Sequence, residues 1–198
     1  MDLPRLRLDT ATWNRLSADA EVIACDVGGA TLLRVRGGAH LRVYRKSRRW
    51  FATDEAKLFR RNAARLRALG ISVPLADALF ELPTGERAVR FAGLGVESLR
   101  SALRRFALPA RSIGDLGAML ARLHEGGVRT AALSLADFEV LADGSLGLNA
   151  PEHCRFRWPG SPLGHKARVR DLNRLLADWD GRLLDEGVRA AYEAARRR

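Results

Sequence analysis

Lysine is nearly missing from this chain. Of its 34 Lys and Arg residues only Lys46, Lys57 and Lys166 are lysines, so arginine carries the net charge of +11, a skew that GC-rich coding produces without any functional demand. Cysteine is scarcer still: Cys25 and Cys154 stand outside any C-x-x-C, which excludes a disulfide framework and makes two free thiols the expectation. No apolar run approaches the roughly 20 residues of a membrane helix. The opening residues lack a basic stretch followed by an apolar core and a small-residue cleavage site, so a cytoplasmic protein is expected rather than an exported one. There is no G-x-S-x-G and no Cys/His pairing in the spacing, which leaves a hydrolase or thiol enzyme without support. His40, His124, His153 and His165 show no metal-ligand spacing among themselves or with the cysteines, so no metal site is expected.

The charge is spread along the chain, which favours solvated helix faces over a polyanion site. Its densest patch is Arg45, Lys46, Arg48 and Arg49, a candidate surface for an anionic glycolipid or membrane, and less so for nucleic acid; Arg196, Arg197 and Arg198 read as a frayed, solvated helix end. Trp50, Trp158 and Trp179 lie near arginines, but scattered tryptophans more often pack than stack on bases.

Periodicity divides the chain. Residues 10–17 form a short lead-in helix capped by Asp9 or Thr10, with Trp13 and Leu16 turned inward. From 21 to 46 the period is two, punctuated by Gly28-Gly29 and Gly37-Gly38, which predicts three antiparallel strands. Thr53 opens a helix that Gly70 closes, over 53–69, and two strands follow around the turn Pro83-Thr84-Gly85-Glu86. Beyond Gly93 and Gly95 helices dominate: about 97–105, 112–125 with the stripe Ile113, Leu116, Leu120 and Leu123, and two after Lys166. A hairpin over 138–149 turns at Asp143-Gly144. The expectation is an α+β chain with a lobe at 1–92, holding the lead-in helix, an antiparallel five-stranded sheet and one helix, and a mainly helical lobe at 93–198.

Four segments carry a resemblance. Residues 65–74, Arg65-Leu66-Arg67-Ala68-Leu69-Gly70-Ile71-Ser72-Val73-Pro74, resemble the "L-x-x-L-G-I-P-x-P" of the bacterial lipopolysaccharide-core heptose and Kdo kinases and of the related toluene tolerance proteins. Leu120-Ala121-Arg122-Leu123-His124-Glu125-Gly126-Gly127-Val128 is similar to their "L-x-x-L-H-x-x-G-I", Asp143-Gly144-Ser145-Leu146-Gly147-Leu148 to "D-G-x-I-G-L", and Arg170-Asp171-Leu172-Asn173-Arg174-Leu175 to "R-D-L-x-R-L". The resemblance covers about 21–179 and implies a protein-kinase-like fold.

It also implies that the chemistry has been lost. Phosphoryl transfer depends on holding ATP and Mg²⁺ and on placing the acceptor hydroxyl. Arg42 stands at the strand lysine, Phe59 at the helix glutamate with Asp54 and Glu55 about one turn earlier, Ala132 at the base, and Ala150 at the main Mg²⁺-binding aspartate. In the degenerate catalytic loop, 130–137, Asp137 replaces the asparagine of the second metal position and keeps an oxygen ligand; Asn149 is one residue from the aspartate position. The glycine-rich Asp26-Val27-Gly28-Gly29-Ala30 is not a full G-x-G-x-x-G. The expectation is a catalytically inactive kinase-fold protein, with no cofactor, tied by the resemblance to lipopolysaccharide-core modification or envelope stress tolerance. Its partner would be a protein, or an anionic glycolipid at the inner face of the inner membrane. The alternatives are a divergent phosphotransferase, with ATP and Mg²⁺ held by Arg42, Asp137 and Asn149 and Asp143 as a substitute acid, and a basic adaptor for anionic lipid or nucleic acid.

Overall fold

The structure, a computed structural model, describes residues 3–25, 30–45, 54–95, 97–105, 110–130, 132–157, 161–177 and 182–197. The chain is α+β and divides into two compact units, Met1–Ala63 with Pro74–Gly93, and Ala64–Val73 with Leu94–Arg198. No helix among the described residues is long and apolar enough to cross a membrane.

In the first unit the elements run β1 (Arg5–Arg7), α1 (Thr10–Ser17), β2 (Glu21–Cys25), β3 (Thr31–Arg34), β4 (Ala39–Tyr44), α2 (Glu55–Ala68), β5 (Ala76–Glu81) and β6 (Arg87–Ala92). The sheet order is β1-β5-β6-β4-β3-β2. Strands β2 to β6 are the five antiparallel strands that the alternation predicts. The sheet is nevertheless six-stranded and mixed, because β1 adds a parallel strand against β5, with Arg5 opposite Leu79. Its three residues are all exposed, so β1 leaves no apolar alternation to read.

Alternation along β4 sends Leu41 and Val43 to one face of the sheet and Arg42 and Tyr44 to the other. Leu41 and Val43 pack with Ala78, Phe80 and Ala88, and Trp13 and Leu16 of α1 cover that layer. The opposite layer joins Tyr44, Leu79, Val89 and Phe91 to Ala56 and Phe59 of α2. Helix α1 therefore covers one face and the start of α2 the other. Asp9 caps α1 through the backbone N–H of Thr12 at 2.7 Å. Gly37 and Gly38, at φ of 88° and 80°, close the turn from β3 to β4 where a side chain would be strained.

Thr53 lies outside the described residues, and the capping group of α2 is Asp54, whose Oδ1 accepts from the N–H of Lys57 at 3.2 Å. The Asp54 carboxylate also pairs with Arg5 at 2.7 Å and Arg87 at 2.8 Å, tying β1, β6 and α2 together. Burial pushes its pKa up, but the Lys57 N–H and the two guanidinium groups outweigh burial and hold it below 3.8. Its contribution is therefore present above pH 3.8 and is lost as pH falls through the lowered value. Asp54→Ala is expected to lower stability by about 1–2 kcal/mol, from a lost cap and two ion pairs, in urea unfolding at neutral pH, a difference that shrinks as pH falls below 3.8.

The second unit contains β7 (Glu97–Ser98), α3 (Leu99–Arg104), α4 (Ala110–Glu125), β8 (Val128–Arg129), β9 (Phe138–Val140), β10 (Leu146–Leu148), β11 (Arg155–Phe156), α5 (His165–Leu176) and α6 (Arg182–Arg196). The helix expected over 97–105 begins two residues late, because Ser98 pairs with β9 and caps α3, accepting from Ser101 N at 3.2 Å. The β9–β10 hairpin forms as the Asp143-Gly144 turn predicts, and β7 extends it to three strands. Strands β8 and β11 pair antiparallel over two residues each, too short to show a period.

The α4 stripe is the spine of this unit. Leu116, Met119, Leu120 and Leu123 are fully buried, and α6 lies so close that a Cβ on Gly117 would sit 2.5 Å from the Val188 carbonyl oxygen. At the C-terminal end of α6 Arg196 and Arg197 are exposed, and Arg196 reaches Glu125 at 3.4 Å and lies over the Tyr192 ring, 5.9 Å from its centre. Arg198 lies outside the described residues.

Candidate functional site

The segment from Thr130 to Ala150 is built on a buried carboxylate. Asp171 projects inward from α5 and its Oδ2 accepts the backbone N–H of Thr130 at 2.9 Å. The same oxygen lies 4.0 Å from His124 Nε2, and His124 Nδ1 lies 2.9 Å from the Tyr192 hydroxyl. Helices α4, α5 and α6 thus meet on one polar cluster that fixes the start of the loop. His124 is fully buried. Burial drives its pKa from 6.5 to about 4, with Asp171 pulling the other way, so the ring is neutral at pH 7. The tautomer that suits this setting carries hydrogen on Nε2, facing the carboxylate, and accepts the Tyr192 O–H on Nδ1.

Beyond Thr130 the chain turns back, with Leu133 N donating to the Thr130 carbonyl at 2.9 Å, and leaves Ala132 exposed. Asp137 follows in a short 3₁₀ turn, Leu135–Asp137, and is only 9% exposed. Its Oδ2 accepts from Ser134 N at 2.7 Å and Ser134 Oγ at 3.1 Å, and His153 Nδ1 approaches Oδ1 at 3.5 Å. The carboxylate that the resemblance leaves at a metal position therefore holds its own loop in shape. Asn149 is joined to the same point through its backbone, donating to the Asp137 carbonyl at 2.7 Å. Its side-chain N–H donates to Glu139 Oε1 at 2.7 Å, and Glu139 Oε2 takes the N–H of Gly95 at 2.8 Å. Asn149 Oδ1 is buried without a hydrogen-bond partner. Ala150 is fully buried and offers no ligand atom.

Asp143, at the hairpin tip, accepts from Ser145 N at 3.0 Å and Ser145 Oγ at 2.6 Å and faces Arg111 at 3.6 Å. The Ser145 side chain and backbone, more than Arg111, hold its pKa below 3.8, so it shapes the turn as an ion. Cys154 is buried near Glu152 and Asp137, and burial first, then those carboxylates, push its thiol far up, which leaves it un-ionised. Cys25 is the exposed thiol. No group of three or more His, Cys, Asp or Glu side chains gathers as a metal site among the described residues.

Arg42 and Phe59 belong to the first unit. Arg42 is 6% exposed, on the face of the sheet that carries α2, opposite Val89 of β6 and Leu32 of β3. Phe59 is buried against Phe91, with ring centres 5.2 Å apart, and so is a core residue. Of the basic patch, Arg45 is exposed, while Lys46, Arg48 and Arg49 lie outside the described residues. So does the glycine-rich 26–29. Sequence reasoning missed Ser134, Glu139 and His153. Only the S-x-x-D spacing of Ser134 and Asp137 carries a readable signal, that of a capping box.

No protein-family model matches this chain and no curated protein is similar to it, so the reading of the site rests on its own geometry.

Proposed function

We propose that this chain is a kinase-fold protein that binds a partner and does not transfer phosphate. Three strands, a helix, two strands and a helical unit with a hairpin after its long helix are the order the resemblance calls for. The observation that carries the reading is the state of the loop groups. Ala132 and Ala150 have no functional atoms, and Asp137 is bound to Ser134, with His153 Nδ1 3.5 Å away. At the position of the helix glutamate, Phe59 fills the core. Each change removes a different contribution to phosphoryl transfer, namely the base, the metal carboxylates and the ion pair that positions ATP. The setting in lipopolysaccharide-core modification or envelope stress tolerance rests on the resemblance of residues 65–74, 120–128, 143–148 and 170–175.

Calorimetry and thermal unfolding with Mg·ATP test this reading. Ligand at about 100 times its Kd stabilises a fold by about 2.7 kcal/mol, which raises Tm by several degrees. The expected result is no heat of binding and no Tm change up to millimolar Mg·ATP. A Mg²⁺-dependent rise in Tm, or transfer of the γ-phosphate to a sugar acceptor, would establish the divergent phosphotransferase instead.

A further inference from the structure

The outward face of α5 is an open cationic groove. Asp171, Leu172, Leu175 and Leu176 are buried, while His165, Lys166, Val169, Arg170, Asn173 and Arg174 line an open groove of about 610 Å³. Lys166, Arg170 and Arg174 recur every four residues, so their side chains follow one ridge at a pitch of about 6 Å. None of the three has an ion pair among the described residues. Other arginines of this unit do carry ion pairs, among them Arg168 with Glu125 and Arg189 with Asp185. Asp171, the one acidic residue in the helix, points inward to Thr130. The first turn contains no acidic side chain, and Gly164 caps it without a side-chain bond, so the positive helix end adds to the same field.

We infer that this groove docks an acidic amphipathic helix of a protein partner. Charge complementarity requires an anion, and Val169 selects which kind. It is 37% exposed, lies on the neighbouring row with His165 and Asn173, beside Lys166 and Arg170, and is the one large exposed apolar side chain described in this unit. A polyphosphate backbone has no apolar group to cover it, and a single valine is too little apolar surface to enter a bilayer. A partner helix with carboxylates four residues apart matches the 6 Å pitch, and an apolar side chain on its adjacent row covers Val169, as ridge-into-groove packing of i±4 rows does. This supplies a partner class for a binding role, but it stands on α5 alone, and the nucleotide experiment and the docking experiment do not decide one another.

The probe is a fluorescein-labelled helical peptide with glutamates four residues apart and a leucine between them, followed by anisotropy at low and at physiological salt. Controls are the same peptide with glutamine for glutamate, a single-stranded oligonucleotide, and phosphatidylserine-containing vesicles. The full chain is expected to bind the glutamate peptide at least about tenfold more tightly than the glutamine peptide. Lys166→Glu/Arg170→Glu/Arg174→Glu should abolish that preference, and Val169→Ser should weaken binding by about threefold or more. The milder Arg170→Gln/Arg174→Gln, at exposed positions, keeps the test valid if the triple reversal perturbs folding. Equal binding of both peptides, or binding unchanged in the charge variants, overturns the proposal. Tighter binding to the oligonucleotide or the vesicles, lost in the same variants and indifferent to Val169→Ser, reassigns the groove to a polyanion or a membrane.

Discussion

Tyr192→Ala is expected to cost about 3–5 kcal/mol, the range for removing a fully buried aromatic side chain, and to leave α6 poorly docked. The ring is 2% exposed, meets the His124 ring edge-on with centres 5.5 Å apart, and supports the Arg196 guanidinium on its other side. The cavity would open where α6 is already seated against Gly117, and backbone at van der Waals contact has little room to collapse into it. Tyr192→Phe separates packing from polarity. It keeps the ring and removes the hydroxyl, leaving His124 Nδ1 buried without a donor, at about 1–3 kcal/mol. Urea unfolding of both variants measures the two terms. A Tyr192→Ala cost no larger than that of Tyr192→Phe would mean that α6 does not pack on α4 as described.

Strong periodicity was what made elements legible. The α4 stripe placed the buried face of that helix, with Leu116, Leu120 and Leu123 all fully buried, and alternation placed β2 to β6. Strands β1, β8 and β11 are two or three residues long, too short for a periodicity reading to find. Asp54 caps α2 and also gathers Arg5 and Arg87, partners too distant in sequence for a local reading to find. Arg196 is exposed at the helix end, but its partner Glu125, 71 residues away, is equally hidden from a local reading. The resemblance puts Asp137 at a metal position and Asn149 beside one, but it does not say what either side chain faces. Whether a carboxylate is free for a metal or bound to Ser134 is a property of the folded loop. The same holds for Asp171, legible as part of a local motif while its partner, the Thr130 N–H, is not.

Acidification from pH 7 to pH 4 is expected to remove about 3 kcal/mol of stability through His124 alone. The sign follows from the direction of the shift. Above pH 6.5 the imidazole is neutral in both folded and unfolded chains and contributes no pH dependence. Between 6.5 and about 4 the unfolded chain takes up a proton that the folded one refuses, so stability falls steadily as pH is lowered. Below about 4 both states are protonated and the loss levels off. Burial is the main cause. Asp171 and Glu125 favour the charged ring, and Arg168 and Arg196 oppose it, so no single neighbour cancels the cost of burial. Asp54 titrates below this window, since its pKa is held under 3.8. The informative variant is His124→Gln, whose amide oxygen can still accept the Tyr192 O–H but which has no proton to gain. It should be less stable than the parent at pH 7, with a flatter stability profile between pH 6.5 and 4, measured by urea unfolding at half-unit steps. Parallel profiles for parent and variant across that window would show that His124 is protonated in the folded chain, and would separate the α4–α5–α6 cluster from the acid sensitivity of the protein.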